Sequence, residues 1–193
     1  MPDQTPPTEP PAQGTVRAAS LVLVNTGDGK GKSTAAFGTA VRAVARGWKV
    51  CVIQFLKSGD WSVGEEKIGR QVGMDWFALG DGFTWDSEDI SESEAIARSA
   101  WDRAKEIITA GEYDLVILDE VTYPINWGWI DGAEVVETIR ARPERVNLIL
   151  TGRDAPEQLI DIADTVTEMV KVKHAYDRGV MARRGIDGRC WNF

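Results

Sequence analysis

An apolar run, Leu21-Val22-Leu23-Val24, breaks at Asn25 into Thr26-Gly27-Asp28-Gly29-Lys30-Gly31-Lys32-Ser33-Thr34, and helix formers (Ala35-Ala36-Phe37) follow at once. Strand, glycine loop, Lys-Ser and helix, in that order, make a phosphate-binding loop. The residue types follow from the chemistry. Glycines let backbone N–H groups turn inward around an anion. The helix N-terminus adds partial positive charge. Lys32 supplies a mobile full charge, and Ser33 a hydroxyl for Mg²⁺. The loop departs from the usual pattern in one respect. The glycine expected five places before Gly31 is replaced by Thr26. The loop is thus one residue tighter, and it carries a second lysine, Lys30. A tighter loop is a reason to expect a triphosphate held differently from that of an ordinary NTPase.

At 193 residues the chain is long enough for one α/β domain with a sizeable core. A net charge of −8 argues against general nucleic-acid binding but leaves room for a local basic pocket. Cys51 and Cys190 lie far apart and form no metal-binding spacing, which fits a reducing, cytoplasmic setting. Cys51 stands in an apolar run and reads as a core residue. No apolar run has the length of a membrane span, and the acidic, proline-rich start is not a signal peptide.

Residues 1–19, rich in Pro, Gln and Thr, read as a flexible segment, and 20–193 as a single domain. Strands are expected at 20–25, 49–55, 74–79, 113–120, 147–150 and 165–170. Helices are expected after the loop to about Arg46, at 61–71, at 91–110 behind a Ser91 or Ser93 cap, at 132–140 and at 155–163. The segment 80–85 displays Phe83 and Trp85 between glycines. They are either a face for a flat ligand or aromatics folded back into the core, and the sequence favours neither. The run Leu115-Val116-Ile117-Leu118-Asp119-Glu120 is a strand that delivers two carboxylates to the sheet edge where ligands bind. Asp119 and Glu120 there can hold Mg²⁺ directly or through water. The connector 121–129, with Tyr123, Trp127 and Trp129, either lines the same cleft or packs. Arg153, in Thr151-Gly152-Arg153, is placed either for phosphate or ribose or for a surface ion pair. The basic tail 171–186 either closes over a polyanion or is a solvated end. His174 takes no role.

Together, the loop from Thr26 to Thr34, Gly82-Phe83-Thr84-Trp85, Leu118-Asp119-Glu120, Thr151-Gly152-Arg153 and the stretch 178–185 resemble the P-loop ATP:corrinoid adenosyltransferases over roughly residues 20–188. The resemblance implies an α/β, RecA-like P-loop fold with a mostly parallel sheet flanked by helices, in a homodimer. It implies ATP lying reversed in the loop, with Thr26, Gly27, Asp28, Gly29, Lys30, Gly31, Lys32, Ser33, Thr34 and Arg153 around it. It implies Mg²⁺ (or Mn²⁺) on Ser33, Asp119 and Glu120. Co(I) of a corrinoid would attack C5′ of ATP and release triphosphate. Lys32 would serve the leaving group, and Phe83 and Trp85 the lower face of the corrin. Reduced flavodoxin or a flavin would be the reductant, and neither nucleic acid nor membrane a partner.

Two other readings compete. An ordinary P-loop ATPase or kinase would use Glu120 to orient water or an acceptor and would release ADP. A nucleotide-gated corrinoid-binding module would bind without turnover.

Overall fold

The strands that read as unbroken apolar runs are covered on both faces. The computed structural model describes residues 17–57, 64–80, 90–183 and 185–186. In β2 (Val50–Gln54) and β4 (Leu115–Asp119) every residue is buried. Side chains of a strand alternate between faces. Val22, Val24, Cys51, Ile53, Val116, Leu118, Leu148 and Leu150 therefore share one core, and Val50, Val52, Leu115, Ile117 and Ile149 the other. Each fully buried Leu or Ile contributes about 1.5–3 kcal/mol against exposure, before entropy is counted.

The strands form one six-stranded sheet, order β3-β2-β4-β5-β1-β6, with every pair parallel. The others are β1 (Val22–Thr26), β3 (Asp75–Ala78), β5 (Asn147–Thr151) and β6 (Thr165–Glu168). Helix α1 (Lys32–Ala45) packs Ala36, Phe37, Ala40 and Ala43 onto one face, joined there by Met74 and Trp76. Helix α2 is Gly64–Gln71. On the opposite face lie α3 (Ile90–Ala110), through Ala100, Trp101, Ala104 and Ile108, and α5 (Gly132–Ala141), through Val135 and Ile139. Two short helices, α4 (Thr122–Asn126) and α6 (Glu157–Ile160), complete the layers. Among the described residues no helix is long and apolar enough to cross a membrane.

The expected strands and main helices are present, with ends shifted by a few residues. Two expectations need correction. Ser91 and Ser93 lie inside α3 and are not its cap, since the helix already starts at Ile90. The helix expected over 155–163 is only four residues long. Pro156 stands before it in an extended conformation, and Asp161 ends it ahead of the turn into β6. Inside the connector 121–129 the helix α4 forms. Cys51 is fully buried, and burial pushes its thiol up to about 12, as a core residue requires. The described part of the tail, 171–183, is largely exposed, and His174 Nδ1 accepts the Tyr176 N–H at 3.1 Å.

Candidate functional site

The carboxyl ends of β1, β2, β4 and β5 meet at one edge of the sheet, where side chains from four segments converge. From β1 the chain enters the loop 27–31, and α1 begins at Lys32 behind Gly31, whose φ is 115°. Gly27 has φ 92°, and a Cβ on it would sit 2.7 Å from the Met169 carbonyl oxygen. A Cβ on Gly29 would sit 2.6 Å from the same atom, and the Gly29 N–H donates to it. The loop glycines thus serve close packing against the chain after β6 as well as any anion. Lys32 Nζ donates to the carbonyls of Gly27 at 2.7 Å and Gly29 at 2.8 Å. Burial first, and Arg153 second, hold its amine below the ordinary lysine value. Asp28, Lys30 and Thr34 are exposed. The Thr26 hydroxyl accepts the Ala155 N–H at 3.0 Å, which ties β1 to the loop after β5.

Asp119 is the centre of the polar contacts. It lies on β4, and β5 stands between β4 and the loop strand β1, so the carboxylate is one strand removed from the phosphate loop. The start of α1 closes that gap: the Ser33 hydroxyl is among the groups that favour the charged form of Asp119. Thr151 Oγ1 donates to Oδ1 at 2.8 Å, and Gln54 Nε2 donates to Oδ2 at 2.9 Å. Lys57 Nζ reaches Oδ2 at 3.2 Å. The parallel register puts Gln54 directly beside Asp119. Trp76 Nε1 donates to Gln54 Oε1 at 2.9 Å, so a hydrogen-bonded line crosses β3, β2, β4 and β5. Burial alone would push the Asp119 carboxyl up. Lys57 and the hydroxyl and amide donors outweigh burial and hold it below its ordinary range, as a charged carboxylate. Burial also opposes the charge on Lys57, but Asp119 and Glu120 hold its amine above the ordinary lysine value.

Glu120 and Asp154 are the described non-glycine residues in the left-handed region, at φ 64° and 49°. Both sit at this edge, just past β4 and β5. The Glu120 N–H donates to Thr151 Oγ1 at 2.9 Å, which holds the strained residue in place. Arg153 turns back over the loop, with Nη1 3.7 Å from Asp28 Oδ1, and both side chains are more than half exposed. The arginine therefore makes a surface ion pair, but with the phosphate loop itself. Helix α4 fixes its backbone: Thr122 Oγ1 donates to the Arg153 carbonyl at 2.7 Å, and Asn126 Nδ2 to that of Asp154 at 2.9 Å. Gly152, φ 145°, lies so close to Thr122 that a Cβ would come within 1.9 Å of its hydroxyl. The connector thus packs against the turn that carries Arg153. Tyr123, Trp127 and Trp129 contact one another in series as tilted pairs, with centroids 5.7 and 4.7 Å apart.

The structure brings together Thr26, Gly27, Asp28, Gly29, Lys30, Gly31, Lys32, Ser33, Asp119, Glu120 and Arg153. Thr34 starts the outward side of α1. Phe83 and Trp85 lie outside the described residues. Sequence reading missed Gln54, Lys57 and Thr122, although Gln54 and Lys57 are polar residues closing an apolar strand at the ligand-binding edge. Among the described residues no group of three or more His, Cys, Asp or Glu is arranged to hold a metal ion. A hydroxyl and two carboxylates, Ser33, Asp119 and Glu120, fit a hard cation that takes its remaining oxygens from water and phosphate, as Mg²⁺ does. A groove of about 590 Å³ lined by Ala133, Val136, Glu137, Arg140, Gln158 and Asp161 lies between α5 and α6, away from all these residues.

A glycine loop between strand and helix, and a buried carboxylate one strand away across a parallel sheet, define a P-loop α/β nucleotide-binding protein. Residues 18–187 match the ATP:corrinoid adenosyltransferase BtuR/CobO/CobP family, and the chain belongs to it. The corrinoid adenosyltransferase of Escherichia coli (strain K12) is 42% identical over 167 residues, covering 86% of this chain and 85% of its own. The corrinoid adenosyltransferase CobA of Salmonella typhimurium (strain LT2) is 41% identical over the same shares. That of Pseudomonas aeruginosa is 40% identical over 86% of this chain and 83% of its own. A solved DNA replication initiation factor overlaps 78% of this chain and 40% of its own at TM-score 0.37 and 13% identity, a likeness too loose to bear on fold or function. The activity is adenosyl transfer, with ATP and a corrinoid as substrates.

Proposed function

We propose that Co(I) of the corrinoid attacks C5′ of ATP at this sheet edge. The Co–C5′ bond forms as the C5′–O bond breaks, and the electron pair of that bond leaves with triphosphate. Cobalt goes formally from Co(I) to Co(III). Reduced cobalt is already a strong nucleophile, so the protein's task is orientation and stabilisation of the departing charge. Lys30, Lys32, Arg153 and the loop amides of residues 27–34 serve the triphosphate. Ser33, Asp119 and Glu120 hold Mg²⁺ (or Mn²⁺), which when bound supplies positive charge against phosphate oxygens. Phe83 and Trp85 serve the lower face of the corrin. The family likeness is the support for a homodimer and for reduced flavodoxin or a flavin as reductant.

The observation that carries the reading is the buried Asp119 carboxylate beside the phosphate loop, held by Thr151, Gln54 and Lys57 and kept charged, which is the arrangement a metal–triphosphate needs. The test is the double variant Phe83→Ala/Trp85→Ala. Binding of ATP is expected to persist while adenosylation falls by at least about a hundredfold, the scale on which positioning acts. An unchanged rate would remove those aromatics from the mechanism.

A further inference from the structure

Gln54, Thr151 and Lys57 donate to Asp119, and the functions assigned so far use none of them. Of the three, Lys57 alone is charged. It follows β2, on the side of Asp119 opposite the phosphate loop. Its ammonium lies 3.2 Å from Oδ2, and its side chain is 22% exposed. Lys57 is held at its own backbone too: its carbonyl accepts the Gly80 N–H at 3.1 Å, and the Leu79 N–H bonds the Gln54 carbonyl at 3.0 Å. The ammonium is therefore presented from a fixed base.

Buried ion pairs are weak contributors to stability, because desolvation offsets attraction. Geometry is the better account of this one. An ionised carboxylate offers about four lone-pair directions. Thr151 occupies Oδ1, and Gln54 and Lys57 share Oδ2. Donors on both oxygens oppose rotation of the carboxylate plane. Gln54 is itself oriented by Trp76, but it is neutral. Among the described residues Lys57 is the one charged donor on Asp119, and it is held from a fixed base.

We propose that Lys57 is a positioning residue for adenosyl transfer, fixing the Asp119 carboxylate and, through it, the metal–triphosphate end of the site. The inference rests on the metal reading given above. It concerns binding of the metal–nucleotide, so it can be read with no corrinoid present.

The test compares the full chain with Lys57→Met, Lys57→Arg, Asp119→Asn and the double variant Lys57→Met/Asp119→Asn. ATP affinity is measured by calorimetry with Mg²⁺ and again with EDTA, with thermal midpoints alongside. Lys57→Met is expected to weaken MgATP binding about tenfold, the usual effect of losing a residue that orients a metal ligand. Binding in EDTA should hardly change, and Lys57→Arg should recover most of the loss. The double variant should bind MgATP as Asp119→Asn does, because Lys57 acts through Asp119. If Lys57→Met fails to fold, the comparison of the double variant with Asp119→Asn still decides, since both buried charges are then gone. A further loss in the double variant would overturn the proposal, placing Lys57 directly on the nucleotide. A Lys57→Met protein with a lower midpoint but unchanged MgATP affinity would overturn it too, leaving a structural ion pair. If Asp119→Asn itself leaves the Mg²⁺ dependence untouched, the metal reading falls and the proposal with it.

Discussion

Thr151 Oγ1 donates to Asp119 Oδ1 at 2.8 Å and accepts the Glu120 N–H at 2.9 Å, so one hydroxyl on β5 holds both acids at the end of β4. Thr151 and Asp119 are each fully buried. Valine matches threonine in shape but can neither donate nor accept. Thr151→Val should therefore leave the Glu120 N–H without this partner and cost about 2 kcal/mol in chemical denaturation. Thr151→Ser should cost less than half as much, because it keeps both hydrogen bonds.

The charged pair beneath the site sets a pH dependence of stability. Burial opposes both charges and is the largest single influence on each, but the neighbouring charges and hydrogen-bond partners together outweigh it. The Asp119 carboxyl is lowered on folding. Its contribution is complete above the unfolded value of about 4 and fades as pH falls through the lower folded value. The Lys57 amine is raised on folding. Its contribution is complete below about pH 10 and fades as pH rises through the higher folded value. Thermal midpoints of Asp119→Asn should accordingly fall less than those of the wild type between about pH 5 and pH 2. An equal acid limb in the two proteins would show that other carboxylates carry it.

Two glycines near the loop should respond in opposite directions. Gly27 has positive φ and backbone of Met169 and the Glu168 side chain within 3 Å of any Cβ, so Gly27→Ala should destabilise by more than about 1 kcal/mol and weaken ATP binding. Gly38 lies in the exposed face of α1 with nothing within 4 Å of its Cβ position. Gly38→Ala should stabilise by about 0.5–1 kcal/mol with ATP binding unchanged. Denaturation curves for the two variants decide both.

Most of the architecture was legible because local and global signals agree. Apolar runs such as Val50–Gln54 have the composition of strands covered on both sides, and Gly47 and Gly111, both at positive φ, follow helices as expected. The order of the strands was not legible. Nothing local to Leu115–Asp119 says that β5 will stand between it and β1, because parallel neighbours are chosen by packing far along the chain. Helix α4 was hidden by Pro124 and its aromatic neighbours, which read as a connector. The phosphate loop itself was plain, but the second duty of Gly27 and Gly29 was not, since Met169 approaches from more than a hundred residues away. Gln54 and Lys57 escaped notice for a related reason. A polar residue at the end of a strand looks like the start of a turn until its partner across the sheet is known.

Helix α4 supports the turn that carries Arg153, and this too can be measured. Thr122 is fully buried, and its hydroxyl donates to the Arg153 carbonyl at 2.7 Å. Thr122→Val should weaken ATP binding several-fold, by loosening a turn it supports without facing solvent. Thr122→Ser should bind as the wild type does. An unchanged Thr122→Val affinity would mean that Arg153 does not meet the nucleotide.

The most direct measurement is anaerobic. The protein is mixed with MgATP and chemically reduced cob(I)alamin or cobinamide, the visible spectrum is followed, and phosphate products are assayed. Adenosyl transfer at this site predicts loss of the Co(I) spectrum, a light-sensitive alkylcobalt product and one triphosphate for each product formed. Release of ADP and phosphate with the corrinoid unchanged would contradict it, and would leave Lys32, Asp119 and Glu120 as parts of an ordinary ATPase.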